Sequence, residues 1–93
     1  MERKAIEAEF EMILCVEYGW KQHPKFAGNI ECKICLDTLK NKYVLEIDCK
    51  HFFDHACIME TLINHSMFKC PICSKKYTKN NKIEKKLKLI YNI

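Results

Sequence analysis

Four short stretches decide the fold: Cys32-Lys33-Ile34-Cys35, Cys49-Lys50-His51, Asp54-His55-Ala56-Cys57 and Cys70-Pro71-Ile72-Cys73. Zinc takes four tetrahedral ligands and prefers thiolate and imidazole, and a C-x2-C step lets a tight turn deliver two sulfurs to one ion. Two such steps flank a C-x-H step and a further cysteine. With Asp54 or His55 they supply eight ligands, which means two ions. A redox pair or a buried free thiol would account for one C-x2-C step but not for this array.

Working outward, the chain has 93 residues, seven of them cysteine, with a net charge of +4. Such a length allows one small domain with extensions and leaves no room for a separate catalytic domain. Residues 1–7 lack the apolar core of a signal peptide, so the expectation is a reducing cytoplasm or nucleus, where metal rather than disulfides holds cysteines. The apolar runs are too short to span a membrane, so no membrane is expected. The sixteen basic residues include only one arginine, Arg3, leaving few guanidinium forks for phosphates or bases. Nucleic acid is therefore not the expected partner.

Three segments follow. Residues 1–30 hold an amphipathic helix, with Ile6, Phe10, Ile13, Leu14 and Tyr18 at helical spacing, and a connector from about 19 to 30 marked by Gly19, Pro24 and Gly28. Residues 31–78 form the zinc module. Within it, Tyr43 to Asp48 alternate as a strand, one arm of a hairpin, and Ala56 to about Ser66 put Ile58, Met59, Leu62 and Ile63 on one helical face. Residues 79–93 form a lysine-rich helix with Ile83, Leu87 and Ile90 or Tyr91 on its apolar side and Asn80 or Asn81 as its cap. Its lysines read as a solvated face. The stripe of Ile6, Phe10 and Leu14 is expected to meet Ile83, Leu87 and Ile90, within the chain or in a homodimer through the flanking helices. Cys15 reads as a packed free thiol on the first helix. Structural zinc contributes about 10 to 16 kcal/mol in zinc-finger peptides, enough to stand in for the small core of the central segment.

Cys32-x-Ile34-Cys35, Cys49-x-His51-x-Phe53, Cys57-Ile58 and Cys70-Pro71-Ile72-Cys73 together resemble a RING finger over about residues 31–78. The resemblance implies a small zinc-stabilised α+β fold, a cross-brace with a short hairpin and one core helix, flanked here by N- and C-terminal amphipathic helices. It implies that Cys32, Cys35, a fifth ligand and Cys57 hold the first zinc, and that Cys49, His51, Cys70 and Cys73 hold the second. The fifth ligand departs from the common pattern. Asp54 keeps the usual spacing to Cys57, whereas His55 is the commoner ligand type but is displaced by one residue. Asp54 is the expected ligand and His55 the alternative; nearby lysines such as Lys33 read equally as moderating the negative charge or as simply solvent-exposed.

Eight ligands leave neither ion an open position, so both zincs read as structural and no catalytic residue is assigned. Members of the family mostly bind a ubiquitin-charged conjugating enzyme and promote ubiquitin transfer to a substrate lysine by positioning, without a covalent intermediate. Carried over residue by residue, the partner-binding set is Ile34, Pro71 and Ile72, with Leu62 on the core helix. Thr61 stands where the family often has tryptophan, and Ser74 where active members often have a cation that clamps ubiquitin, with Lys75 one step later. The leading expectation is a RING-type ubiquitin ligase of a eukaryotic cell or of a virus infecting one. The alternatives are a non-catalytic RING dimerisation or adaptor module and a zinc-dependent nucleic-acid binder.

Overall fold

The computed structural model describes residues 2–64 and 68–92. Helix α1, Arg3–Tyr18, buries Ile6, Phe10 and Leu14, one residue per turn on a common face. It stops where Gly19 adopts φ +74°, a left-handed geometry that glycine enters without a Cβ clash, and the Gly19 N–H returns to the Leu14 carbonyl. Trp20 follows, 3% exposed, its ring edge-on to Tyr77 at 5.6 Å.

Three strands then form one antiparallel sheet in the order β1-β2-β3, with β1 Lys21–His23, β2 Val44–Glu46 and β3 Phe52–Asp54. Strands β2 and β3 are the expected hairpin, Leu45 opposite Phe53. Strand β1 lies in the stretch read as a connector, where Lys21-Gln22-His23 carry no β-branched or alternating signal. It pairs Gln22 with Leu45 as an edge strand, fastened by His23 Nε2 against Glu46 Oε1 at 2.9 Å, and Pro24 ends it by withdrawing a donor.

Helix α2, His55–Asn64, turns Ile58, Met59, Leu62 and Ile63 into the core. Residues 65 and 66, where the expected helix would end, lie outside the described residues. Helix α3, Asn81–Tyr91, is capped by the Asn80 side chain, which accepts the Ile83 N–H at 2.9 Å. Its Ile83, Leu87 and Ile90 are buried in the same cluster as Ile6, Phe10 and Leu14. The two flanking stripes therefore meet within the chain and are used up there. Glu9–Lys86 and Glu17–Lys82 ion pairs, at 2.5 and 3.0 Å, run along the α1–α3 seam. Among the described residues no helix is long and apolar enough to cross a membrane.

Candidate metal centres and docking surface

Both C-x2-C steps fold into the same turn. In the first, the Cys32 N–H donates to the Asp37 carbonyl at 2.9 Å, the Leu36 N–H to the Cys32 carbonyl at 2.8 Å, and Leu36 sits at φ +64°. In the second, the Cys70 N–H donates to the Lys75 carbonyl and the Ser74 N–H to the Cys70 carbonyl, both at 2.9 Å, with Ser74 at φ +61°. Short bridges, Glu31 with Thr38 and Lys69 with Lys76, close the two loops. The C-x-H step rides on the β2–β3 turn, where Lys50 at φ +67° lets the Ile47 N–H reach the His51 carbonyl.

These turns gather two clusters. Cys49, His51, Cys70 and Cys73 place their ligand atoms within 4.8 Å of one another, with His51 Nδ1 3.2 Å from both Cys49 Sγ and Cys70 Sγ. Cys32, Cys35 and Cys57 form the other. The chain enters one cluster, crosses to the other and returns, so the groups interleave along the sequence as a cross-brace.

Their electrostatics fit a dication. Burial opposes ionisation of Cys32, but the backbone N–H groups of Cys35, Asp54 and Ile34 outweigh it and bring the thiol below its ordinary pKa. Burial, then the neighbouring sulfurs, push the Cys57 thiol up to about 12, and burial first of all pushes Cys70 up to about 11. Thiols so close together cannot all ionise without a positive charge among them. Two structural zinc ions match this donor set.

Asp54 and His55 behave differently. Asp54 Oδ1 accepts the Ala56 N–H at 3.0 Å, capping α2, and Oδ2 lies 3.7 Å from Lys42 Nζ. Its carboxylate is outside the three-sulfur group, yet near enough to oppose ionisation of Cys57. His55 points toward α1: its Nε2 bonds Glu11, and its ring stacks on Tyr43 at 4.3 Å and 5°. Glu11, 7% exposed, also accepts from Tyr43 Oη and Gln22 Nε2. Burial pushes the Glu11 carboxyl up, but the hydrogen bonds from His55, Tyr43 and Gln22 outweigh it and hold the pKa below the usual value. The bond to Glu11 raises His55. Sequence reasoning missed this anchor, and the signal available was an acid set between Phe10 and Leu14 on the buried side of α1.

Of the expected partner-binding residues, Ile34 and Ile72 are 36% and 41% exposed, and Pro71 is half-buried beside Ile72. Leu62 is a correction. It is wholly buried, because the phase of α2 that puts Ile58 inward also carries Leu62 inward, so it packs the core instead of facing a partner. Leu36, which the sequence reading did not single out, is 68% exposed on the first loop. Thr61 bonds back to the Cys57 carbonyl at 3.0 Å. Lys75 is drawn to Asp48 at 2.9 Å and lies over the Tyr77 ring, while Ser74 is exposed. Cys15 is half-buried with its thiol pKa raised by burial and by Glu11. A family model described as "Ring finger domain" matches residues 30–84, more than half of the chain.

Proposed function

The chain belongs to the RING finger family, and from that premise we propose that it acts as a RING-type ubiquitin ligase, presenting a docking face to a ubiquitin-charged conjugating enzyme. The observation that carries this reading is the pair of zinc loops turning Ile34, Leu36 and Ile72 toward solvent. Burying such side chains is worth about 1.5 to 3 kcal/mol each, so their exposure in so small a molecule favours a partner surface. The catalytic contribution is positional: a thioester held in a reactive geometry loses less orientational entropy when the substrate amine attacks. Cys32, Cys35 and Cys57, with Asp54 as fourth ligand, hold the first ion, and Cys49, His51, Cys70 and Cys73 hold the second. Zinc supplies rigidity to the loops. The proposed setting is a reducing compartment of a eukaryotic or virus-infected cell, where thiolates persist.

One observation favours a second reading, that of a RING adaptor without ligase activity. Ser74 offers only a short hydroxyl after the last ligand, and Lys75 is already paired with Asp48. A nucleic-acid role is disfavoured, since Lys75, Lys82 and Lys86 are each engaged by a carboxylate.

Self-ubiquitination of the zinc-loaded chain with a panel of conjugating enzymes tests the proposal. Activity that disappears in Ile34→Ala, with two zincs retained by native mass spectrometry, is the expected result. Inertness of the native chain toward every enzyme of the panel supports the adaptor instead.

A further inference from the structure

The sulfurs of the second metal cluster differ in what stands behind them. Cys70 Sγ receives the Ile72 N–H at 3.4 Å, and the Lys75 N–H is the first cause that holds the Cys73 thiol below its ordinary pKa. Both donors are backbone groups of the turn itself. Behind Cys49 Sγ stands a side chain, the Tyr77 hydroxyl at 3.6 Å.

Two loops build this contact. Asp48 and Cys49 are neighbours on the β2–β3 turn, while Lys75 and Tyr77 flank Lys76, whose bridge to Lys69 keeps the segment extended. Side chains two apart on an extended segment share a face, so Lys75 and Tyr77 both reach Asp48. Lys75 Nζ lies 2.9 Å from Asp48 Oδ2, and Tyr77 Oη donates to Asp48 Oδ1 at 2.5 Å. The Tyr77 ring is fixed by edge contacts with Trp20 at 5.6 Å and Phe68 at 6.2 Å, and the Tyr77 N–H by the Phe68 carbonyl at 3.0 Å. Ring and backbone are thus held without the hydroxyl.

A phenol has a single hydrogen to donate, and here Asp48 and Cys49 compete for it. Lys75 bears on how it is divided. Its charged form is favoured by Asp48 first and then by the sulfurs of Cys49 and Cys73, so its ammonium answers the Asp48 carboxylate from the other side. The hydroxyl is then left to share its hydrogen with Cys49 once that thiol ionises, as a zinc ligand must. We infer that Tyr77 is a positioning residue of the second metal centre, its hydroxyl held between Asp48 and Cys49 to steady the Cys49 thiolate as a ligand. A hydrogen bond to a ligand sulfur withdraws electron density from it and fixes its direction, which lowers its reactivity toward electrophiles. The inference rests on Cys49 belonging to the second zinc set and not on ligase activity.

Alkylation of the full zinc-loaded chain by iodoacetamide, mapped by peptide mass spectrometry, tests it, because the label reports each cysteine separately. Tyr77→Phe keeps the ring contacts and removes only the hydroxyl. The expected result is two zincs retained by native mass spectrometry, Cys49 labelled several-fold faster than in the native chain, and Cys57 of the first cluster unchanged. Chelator competition should show one of the two zincs bound about tenfold more weakly. In the cobalt-substituted chain the sulfur-to-metal charge-transfer band should move to longer wavelength, a shift that loss of packing alone would not produce. Lys75→Met, at a side chain 51% exposed, should move the same readouts in the same direction by less, and it carries the test alone if Tyr77→Phe fails to fold. Zinc protection of Cys49 that is equal in the native chain and the variants overturns the inference and leaves the metal assignment in place. A native Cys49 labelled as fast with zinc as after chelation overturns both.

Discussion

Neighbouring residues Asp54 and His55 divide the work at the start of α2. Asp54 faces the cysteine side, where it caps the helix and lies near Cys57, while His55 faces Glu11 on α1. Replacing Asp54 with alanine should therefore lower zinc affinity at the first cluster by roughly tenfold or more, whereas His55→Ala should leave that affinity intact. A chelator competition titration reads both, and equal losses in the two variants would contradict the assignment. Glu11→Gln keeps the shape of the anchor but removes the charge that His55 pairs with. It should cost about 1 to 3 kcal/mol in denaturant unfolding of the zinc-loaded protein. A carboxyl of lowered pKa stabilises above its unfolded value, and a raised imidazole stabilises below its own. The difference between Glu11→Gln and the native chain is thus fullest between about pH 4.3 and 6.5, and narrows as pH rises through the raised pKa of His55. A gap that widens toward alkaline pH would be inconsistent with this pairing.

Among the elements, the two flanking helices were the easiest to read and strand β1 the hardest. The recurrence of Ile6, Phe10 and Leu14 and of Ile83, Leu87 and Ile90 states a helical period over several turns, and Gly19 and Asn80 mark a stop and a start. Strand β1 carries no such period, since three polar residues become a strand only because Leu45 and its neighbours offer them an edge. Phase also decided Leu62: a helix of ten residues fixes one inward face, and the residue read as a partner contact fell on it. Because α1 and α3 share one buried seam, Phe10→Ala should cost about 3 to 5 kcal/mol of stability. Denaturant titration of the zinc-loaded variant measures it. A cost under about 1 kcal/mol would show that the α1–α3 seam adds little to the fold.

At the scale of the whole molecule, one core cluster runs from α1 through the sheet and α2 to α3, with the two metal clusters at its margin. The sheet strands are only three residues each, too short to hold the cysteine loops by pairing alone. Chelation should therefore melt the central segment, with loss of near-ultraviolet circular dichroism and proteolysis within residues 31–78. A chelated chain with native spectra and unchanged protease resistance would contradict the structural role of zinc. The sequence by itself determined the ligand types, the two zinc ions, the family and the helical brackets, because metal chemistry and the helical repeat are written in residue identity and local spacing. Only the tertiary structure decided that the flanking stripes close on each other within one chain, that Leu62 is core, that Lys21–His23 is a strand and that His55 turns to Glu11. Each of these depends on which surfaces meet across tens of residues, and local spacing carries no record of that.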